Sequence, residues 1–198
     1  MAKKKNRKIK KLGKNWRKFW KLGVDEWNTQ FFDVNKDGDL TATEGHHIYN
    51  LNDLAHKYGT PLTVVFPFII EDRLKDLIGY FQAYMKIYGY KGKFFYHYPM
   101  KVNQNKEFIL SLLSEGANLE ATSANELWLV KKLWEGEKFN SKIRVLCNGP
   151  KTDQYLDLVE ELRAKGMNIV PIIESLDEVE RFSKYKGDIG VRVDLNIK

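Results

Sequence analysis

The sequence predicts an α/β protein in which a short β-hairpin segment precedes about five βα units of a parallel sheet, and three observations carry that prediction. Short β-branched or aromatic runs recur every 20 to 25 residues or so, helical stretches of about 10 to 15 residues separate them, and turn and capping residues mark the junctions. The chain has 198 residues, 43% hydrophobic and 30% charged, which is enough for one good core and argues against disorder or fibrous repeats. A single cysteine, Cys147, excludes an internal disulfide framework and suggests a reducing, cytoplasmic setting. No apolar run approaches the roughly 18 residues that a membrane span requires.

Residues 1–22 form a basic N-terminal extension. They hold eleven basic and no acidic side chains, interleaved with Trp16, Phe19 and Trp20, whereas residues 23–198 carry 22 basic against 26 acidic residues, a net of −4. The overall +7 is therefore a property of the tail. Its composition suits an arm for nucleic acid or another anionic surface, although the plainer reading is a solvated extension whose tryptophans dock on the domain that follows.

Residues 23–68 are expected to form an N-terminal β segment with a hairpin and a helix. The stretch Asp33 to Glu44 satisfies every slot of a calcium-binding EF-hand loop, with Asp33, Asn35, Asp37, Asp39 and Glu44 as oxygen ligands and Gly38 at the sharp turn. An EF-hand also needs a helix on each side, and Gly45-His46-His47-Ile48-Tyr49 is a poor helix opening. A hairpin, Phe31–Val34, an Asn-Lys-Asp-Gly turn and Asp39–Thr41, is the preferred alternative, with calcium binding as the minor one.

From residue 69 the βα pattern sets in as an incomplete barrel or sheet. Leu62–Phe66 is a β-rich run, and Leu74, Leu77, Ile78, Phe81, Met85 and Ile87 give helical spacing over 70–88. Strands are expected at 94–98, 118–121, 143–147, 168–173 and 189–195, with helices at 103–115, 123–134, 152–165 and 175–185. Ser123-Ala124-Asn125-Glu126 and Ser175-Leu176-Asp177-Glu178 are capping boxes, and Gly116 and Gly166 close the helices before them. In open sheets and barrels alike, ligands sit at the carboxyl ends of parallel strands. Strand alternation there places Phe95, His97, Pro99 and Lys101 on the inward face. A lysine so placed is either paired, with Glu120 the natural partner, or employed as an imine-forming amine. His97 reads as a packed core histidine and Cys147 as a small buried hydrophobe.

The strand ends resemble the biosynthetic arginine decarboxylase family. The resemblance rests on Tyr98-Pro99-Met100-Lys101-Val102-Asn103-Gln104, Leu119-Glu120-Ala121-Thr122-Ser123 with Glu126-Leu127, Cys147-Asn148-Gly149 with Lys151 and Tyr155, and Gly190-Val191-Arg192. Earlier pieces, Phe31-Phe32-Asp33-Val34-Asn35 with Gly38 and Leu40, keep the family's order. The resemblance implies a pyridoxal 5′-phosphate enzyme on the alanine racemase-like (β/α)8 TIM-type barrel, of which about five of eight strands are present. It implies that Lys101 anchors the cofactor covalently, that Glu120 lies beside that linkage, that Arg192 lies near the pyridine ring and that Asn148 lines the edge. Arginine would be decarboxylated to agmatine, the entry to polyamine and spermidine synthesis, in a homo-oligomeric full-length form. A magnesium (Mg2+) requirement is left open. Met100, Thr122, Pro150 and Asp194 depart from the family pattern, and Thr122 and Pro150 are expected to touch the substrate edge. A full barrel at this spacing needs further βα units, so the chain is expected to be the N-terminal part of a longer protein.

Overall fold

The computed structural model describes residues 31–137, 139, 142–193 and 195. The basic extension, with Trp16, Phe19 and Trp20, lies outside them. The chain divides into two compact units, residues 1–65 and 66–198.

In the first unit, β1 (Phe32–Val34), β2 (Leu40–Glu44) and β3 (His47–Asn50) form an antiparallel sheet in that order. Asp33 pairs with Thr41 and Val34 with Leu40, so the 33–44 stretch is a hairpin and its flanks are strands, not the helices an EF-hand needs. The turn is held by its own polar side chains. Asn35 Oδ1 accepts from the amides of Asp37 (2.9 Å) and Asp39 (3.0 Å), and Asp33 Oδ1 accepts from the amide of Val34 at 2.7 Å. Asp39 accepts from Asn50 Nδ2 at 3.0 Å and Glu44 from the Tyr49 hydroxyl at 2.8 Å. Asp33, Asp39 and Glu44 thus serve the hairpin, and among the described residues no group of three or more His, Cys, Asp or Glu side chains is arranged for a metal ion. Gly38 takes φ +91° at the turn, where a left-handed backbone favours glycine. Asn50 caps α1 (Leu51–Tyr58) by accepting from the amides of Asn52 and Asp53.

The second unit opens with α2 (Pro67–Ile87), three residues ahead of the expected start because Pro67 takes the first helical turn. The β-rich run Leu62–Phe66 is not a strand; it is irregular and mostly exposed. Five parallel strands follow, β4 (His97–Pro99), β5 (Asn118–Ala121), β6 (Arg144–Cys147), β7 (Asn168–Ile173) and β8 (Gly190–Val191), paired in chain order. Between them lie α3 (Lys106–Ser114), α4 (Ala124–Glu137), α5 (Asp153–Ala164) and α6 (Leu176–Arg181). A doubly wound sheet reverses its strand order at a switch point. Here there is no reversal, so right-handed crossovers lay every helix on one face and the sheet is an arc of a (β/α)8 barrel.

The two sheet faces differ as that geometry requires. Toward the helices, Leu119, Ala121, Val145 and Cys147 are fully buried, with Tyr98 and Ile169 nearly so, against Ile109, Leu127, Val130, Val159 and Leu162. On the inward face, His97, Asn118, Glu120, Arg144, Leu146 and Asn148 are half-buried. Gly190 sits opposite Ile172 on this face, where a Cβ would lie 2.3 Å from Ile172 Cδ1. No helix among the described residues is long and apolar enough to cross a membrane.

Candidate active site

The carboxyl ends of β4 to β8 collect the polar residues singled out in the sequence. Lys101 is not the last residue of a long strand. β4 ends at Pro99, and Met100-Lys101 form a turn whose buried Met100 anchors it while Lys101 is exposed. Lys101 makes no ion pair or side-chain hydrogen bond among the described residues, so the pairing with Glu120, the alternative to an imine-forming role, is absent. Glu120 instead accepts from Asn148 Nδ2 at 3.3 Å, which joins β5 to β6 and leaves the lysine amine unengaged.

Each gap between neighbouring strand ends is bridged by a polar side chain. At the β4–β5 gap, Glu126 Oε1 accepts weakly from Gln104 Nε2 at 3.5 Å, while its Oε2 takes the amide and hydroxyl of Thr122 (2.7 and 3.0 Å). Thr122 is therefore tied to the start of α4 through both its amide and its hydroxyl. The capping box is real in one direction, since Ser123 Oγ accepts from the amide of Glu126 at 3.3 Å, but the glutamate reaches back one residue further than the motif predicts. At the β5–β6 gap, the buried Tyr155 hydroxyl donates to Ala121 O (2.8 Å), with Asn148 O at 3.2 Å. Burial drives the phenol's pKa far up, so it stays a neutral donor. Beside it, burial pushes the Cys147 thiol up to about 12, which makes it chemically inert at neutral pH.

Further along, Glu174 Oε1 accepts from the amide of Gly149 at 2.6 Å and lies 3.4 Å from Arg192 Nη1. The Arg192 side chain is 61% exposed, so part of its guanidinium is open to solvent beside that contact. Gly149 adopts φ +76°, and a Cβ there would meet Thr122 O at 2.5 Å. Only glycine fits, and the β6–α5 turn presses directly on the end of β5.

Three buried polar atoms on the inward face have no hydrogen-bond partner among the described residues: His97 Nε2, Arg144 Nε and Asn148 Oδ1. Burial holds the His97 imidazole below its ordinary value, despite its hydrogen bond to the Phe95 backbone. The sequence had placed His97 as packed core, and it is half-buried on the face that carries Glu120. An unengaged primary amine and a partly exposed guanidinium as cationic donors, with a carboxylate and an unpaired amide oxygen as acceptors, fit an aromatic ligand that carries a carbonyl, an anionic group and a ring N–H. Pyridoxal phosphate is such a molecule.

Comparison with known proteins agrees. Residues 74–198 match the pyridoxal-binding domain of the pyridoxal-dependent decarboxylases, and the chain belongs to that family. Among curated relatives, a biosynthetic arginine decarboxylase of Prochlorococcus marinus (strain MIT 9515) is 30% identical over 187 residues, covering 87% of this chain and 28% of that protein. A protein of the same name from Phocaeicola vulgatus is 28% identical over 187 residues, covering 88% of this chain and 29% of the relative. The crystal structure of the biosynthetic arginine decarboxylase from Campylobacter jejuni superposes with a TM-score of 0.71 at 25% identity, over 88% of this chain and 31% of that one. Lysine/ornithine decarboxylase from Vibrio vulnificus, complexed with cadaverine, shares the fold at a TM-score of 0.54 and 21% identity, over 75% of this chain and 36% of that one. The chain thus spans about 30% of the length of the curated relatives it matches.

Proposed function

We propose that the chain supplies the cofactor-anchoring part of an arginine decarboxylase, which converts arginine to agmatine with loss of carbon dioxide. The observation that carries this reading is the unengaged amine of Lys101 at the carboxyl edge of β4, within the family match and set beside the Glu120–Asn148 pair. Pyridoxal phosphate, when bound, supplies the electron sink for the bond that breaks at the α-carbon. Lys101 holds the cofactor covalently through its Nζ. Glu120, oriented by Asn148, sets a fixed negative charge beside that attachment. Arg192 offers its solvent-open N–H groups to the ring side, and Asn148 Oδ1 offers an acceptor at the edge.

The arginine specificity is supported by the names of the curated relatives and of the solved structure from Campylobacter jejuni. Agmatine formation would place the reaction at the head of a polyamine synthesis route. The same reading places the protein in the cytoplasm, where Cys147 would stay a thiol. The test is to mix the chain with pyridoxal phosphate, reduce with borohydride and map the modified peptide by mass spectrometry. A cofactor mass on Lys101, lost in Lys101→Ala, is the expected result; modification elsewhere, or none, defeats the proposal.

A further inference from the structure

A second lysine at this edge is used in the opposite way. The Lys151 side chain is 0% exposed and that of Glu178 is 6% exposed. Taking an ammonium out of water is costly unless its donors are all satisfied. Lys151 satisfies all three: Nζ donates to Gly149 O at 2.7 Å, to Ile172 O at short range, and to Glu178 Oε2 at 3.3 Å. Glu178 is as fully used. Its Oε1 accepts from the amide of Lys151 at 3.1 Å and its Oε2 from the amide of Glu174 at 2.9 Å. Burial by itself would raise the Glu178 carboxyl, yet the two amides and the Lys151 side chain outweigh burial and hold it below the ordinary value.

Stability does not explain such a pair, since an apolar pair of similar volume is often as stable or more so. What an apolar pair lacks is a grip on four backbone groups at once, in two turns and the end of β7: Gly149 O, Ile172 O, the Lys151 amide and the Glu174 amide. From those points the contacts run on into the site. Gly149 donates to the Glu174 carboxylate, and that carboxylate meets Arg192. On the other flank Gly149 abuts Thr122, so the turn bearing Asn148 is clamped from both sides.

We propose that the Lys151–Glu178 pair is a positioning latch. It sets the β6–α5 and β7–α6 turns so that Asn148 and, through Glu174, Arg192 converge on one ligand. That ligand is the phosphorylated pyridine cofactor, and to that extent the inference rests on the function proposed above.

The test uses the 198-residue chain as wild type, as Lys151→Met and as the double variant Lys151→Met/Glu178→Leu. Lys151→Met strands a buried carboxylate and is expected to lower the melting temperature. The double variant removes both charges and is expected to regain a melting temperature near wild type. Its amides at Gly149, Lys151 and Glu174 should nonetheless exchange with deuterium faster than in wild type, while residues 118–130 exchange as before. Pyridoxal phosphate, titrated by absorbance and trapped with borohydride, should bind the double variant about tenfold more weakly, as for loss of a group that orients direct ligands. A thermally stable double variant with wild-type exchange and wild-type cofactor affinity overturns the latch. A wild-type chain that takes up no cofactor overturns the functional proposal instead, and the exchange pattern then decides whether the turns are latched.

Discussion

Lys101 and Lys151 lie at the ends of strands in the same sheet, yet one amine is open and the other saturated, and the difference lies in what surrounds each side chain. Lys101 follows a strand that stops two residues earlier, so its turn projects it outward. Lys151 lies in the turn before α5, where two carbonyls and a carboxylate converge on it. The same logic governs the uncharged groups. Replacing Tyr155 by Phe removes the hydroxyl that shares Ala121 O with the Asn148 amide and also reaches Asn148 O, and should cost about 0.5–1.5 kcal/mol in urea unfolding. A loss below 0.5 kcal/mol or so would mean that the hydroxyl holds nothing.

Cys147 gives a pH prediction with a definite sign. Its thiol ionises at about 12 in the folded chain against an ordinary 9.0, so above about pH 9 the unfolded chain gives up a proton that the folded chain keeps. The contribution is fully present below pH 9 and is lost as pH rises toward 12. The native thiol should therefore resist thiol reagents at pH 8 and react promptly once urea unfolds the chain. Fast native reaction would place Cys147 outside the core.

At the scale of elements, the turns after β5 and β7 share a device that the capping-box motif only partly anticipates. In each, a glutamate in the first turn of the helix reaches back four residues to an amide at the strand end, Glu126 to Thr122 and Glu178 to Glu174. The helix start is thereby tied to the strand and not merely capped, and the Ser175 side chain makes no capping bond at all. Glycines show the same dependence on context. Gly38 and Gly149 both have positive φ, but a Cβ at Gly38 meets nothing within 4 Å, whereas one at Gly149 strikes Thr122 O. Gly38→Ala should cost about 1 kcal/mol of backbone strain, while Gly149→Ala should cost at least about 2 kcal/mol, because backbone must move as well. Equal losses on chemical denaturation would show that the close approach to Thr122 has no energetic weight.

For the whole molecule, the division into residues 1–65 and 66–198 predicts where a protease enters. Residues 59–66 carry no regular structure, and Lys57 to Val64 are exposed. Brief chymotrypsin treatment should cut within the described chain first at Tyr58 or Leu62, read by mass spectrometry. A first cut inside 97–191 would contradict the two-unit description.

The fold class was legible in the sequence because each βα unit repeats its own signals. β-branched runs, helical spacing and Gly116 and Gly166 at helix ends depend on residues close in the chain, so β5 and β7 appear at their expected bounds. The string around Lys101 likewise carried the family resemblance that implied a pyridoxal cofactor, and the family match covers it. Local reading failed where distance in sequence mattered. It carried the β4 alternation on to Lys101, left open whether that lysine is paired with Glu120 or free for chemistry, read Leu62–Phe66 as β-rich, and passed over the buried Lys151–Glu178 pair, whose partners lie 27 residues apart. A strand persists only where a neighbour completes its hydrogen bonds, and β4 has one only as far as Pro99 opposite Glu120. What the sequence determined by itself was the alternation of strands and helices and the kinds of side chain at each strand end, because propensity and patterning act over a few residues. Only the tertiary structure decided which of those side chains are saturated and which stand open, because that depends on groups from different βα units meeting at one edge of the sheet.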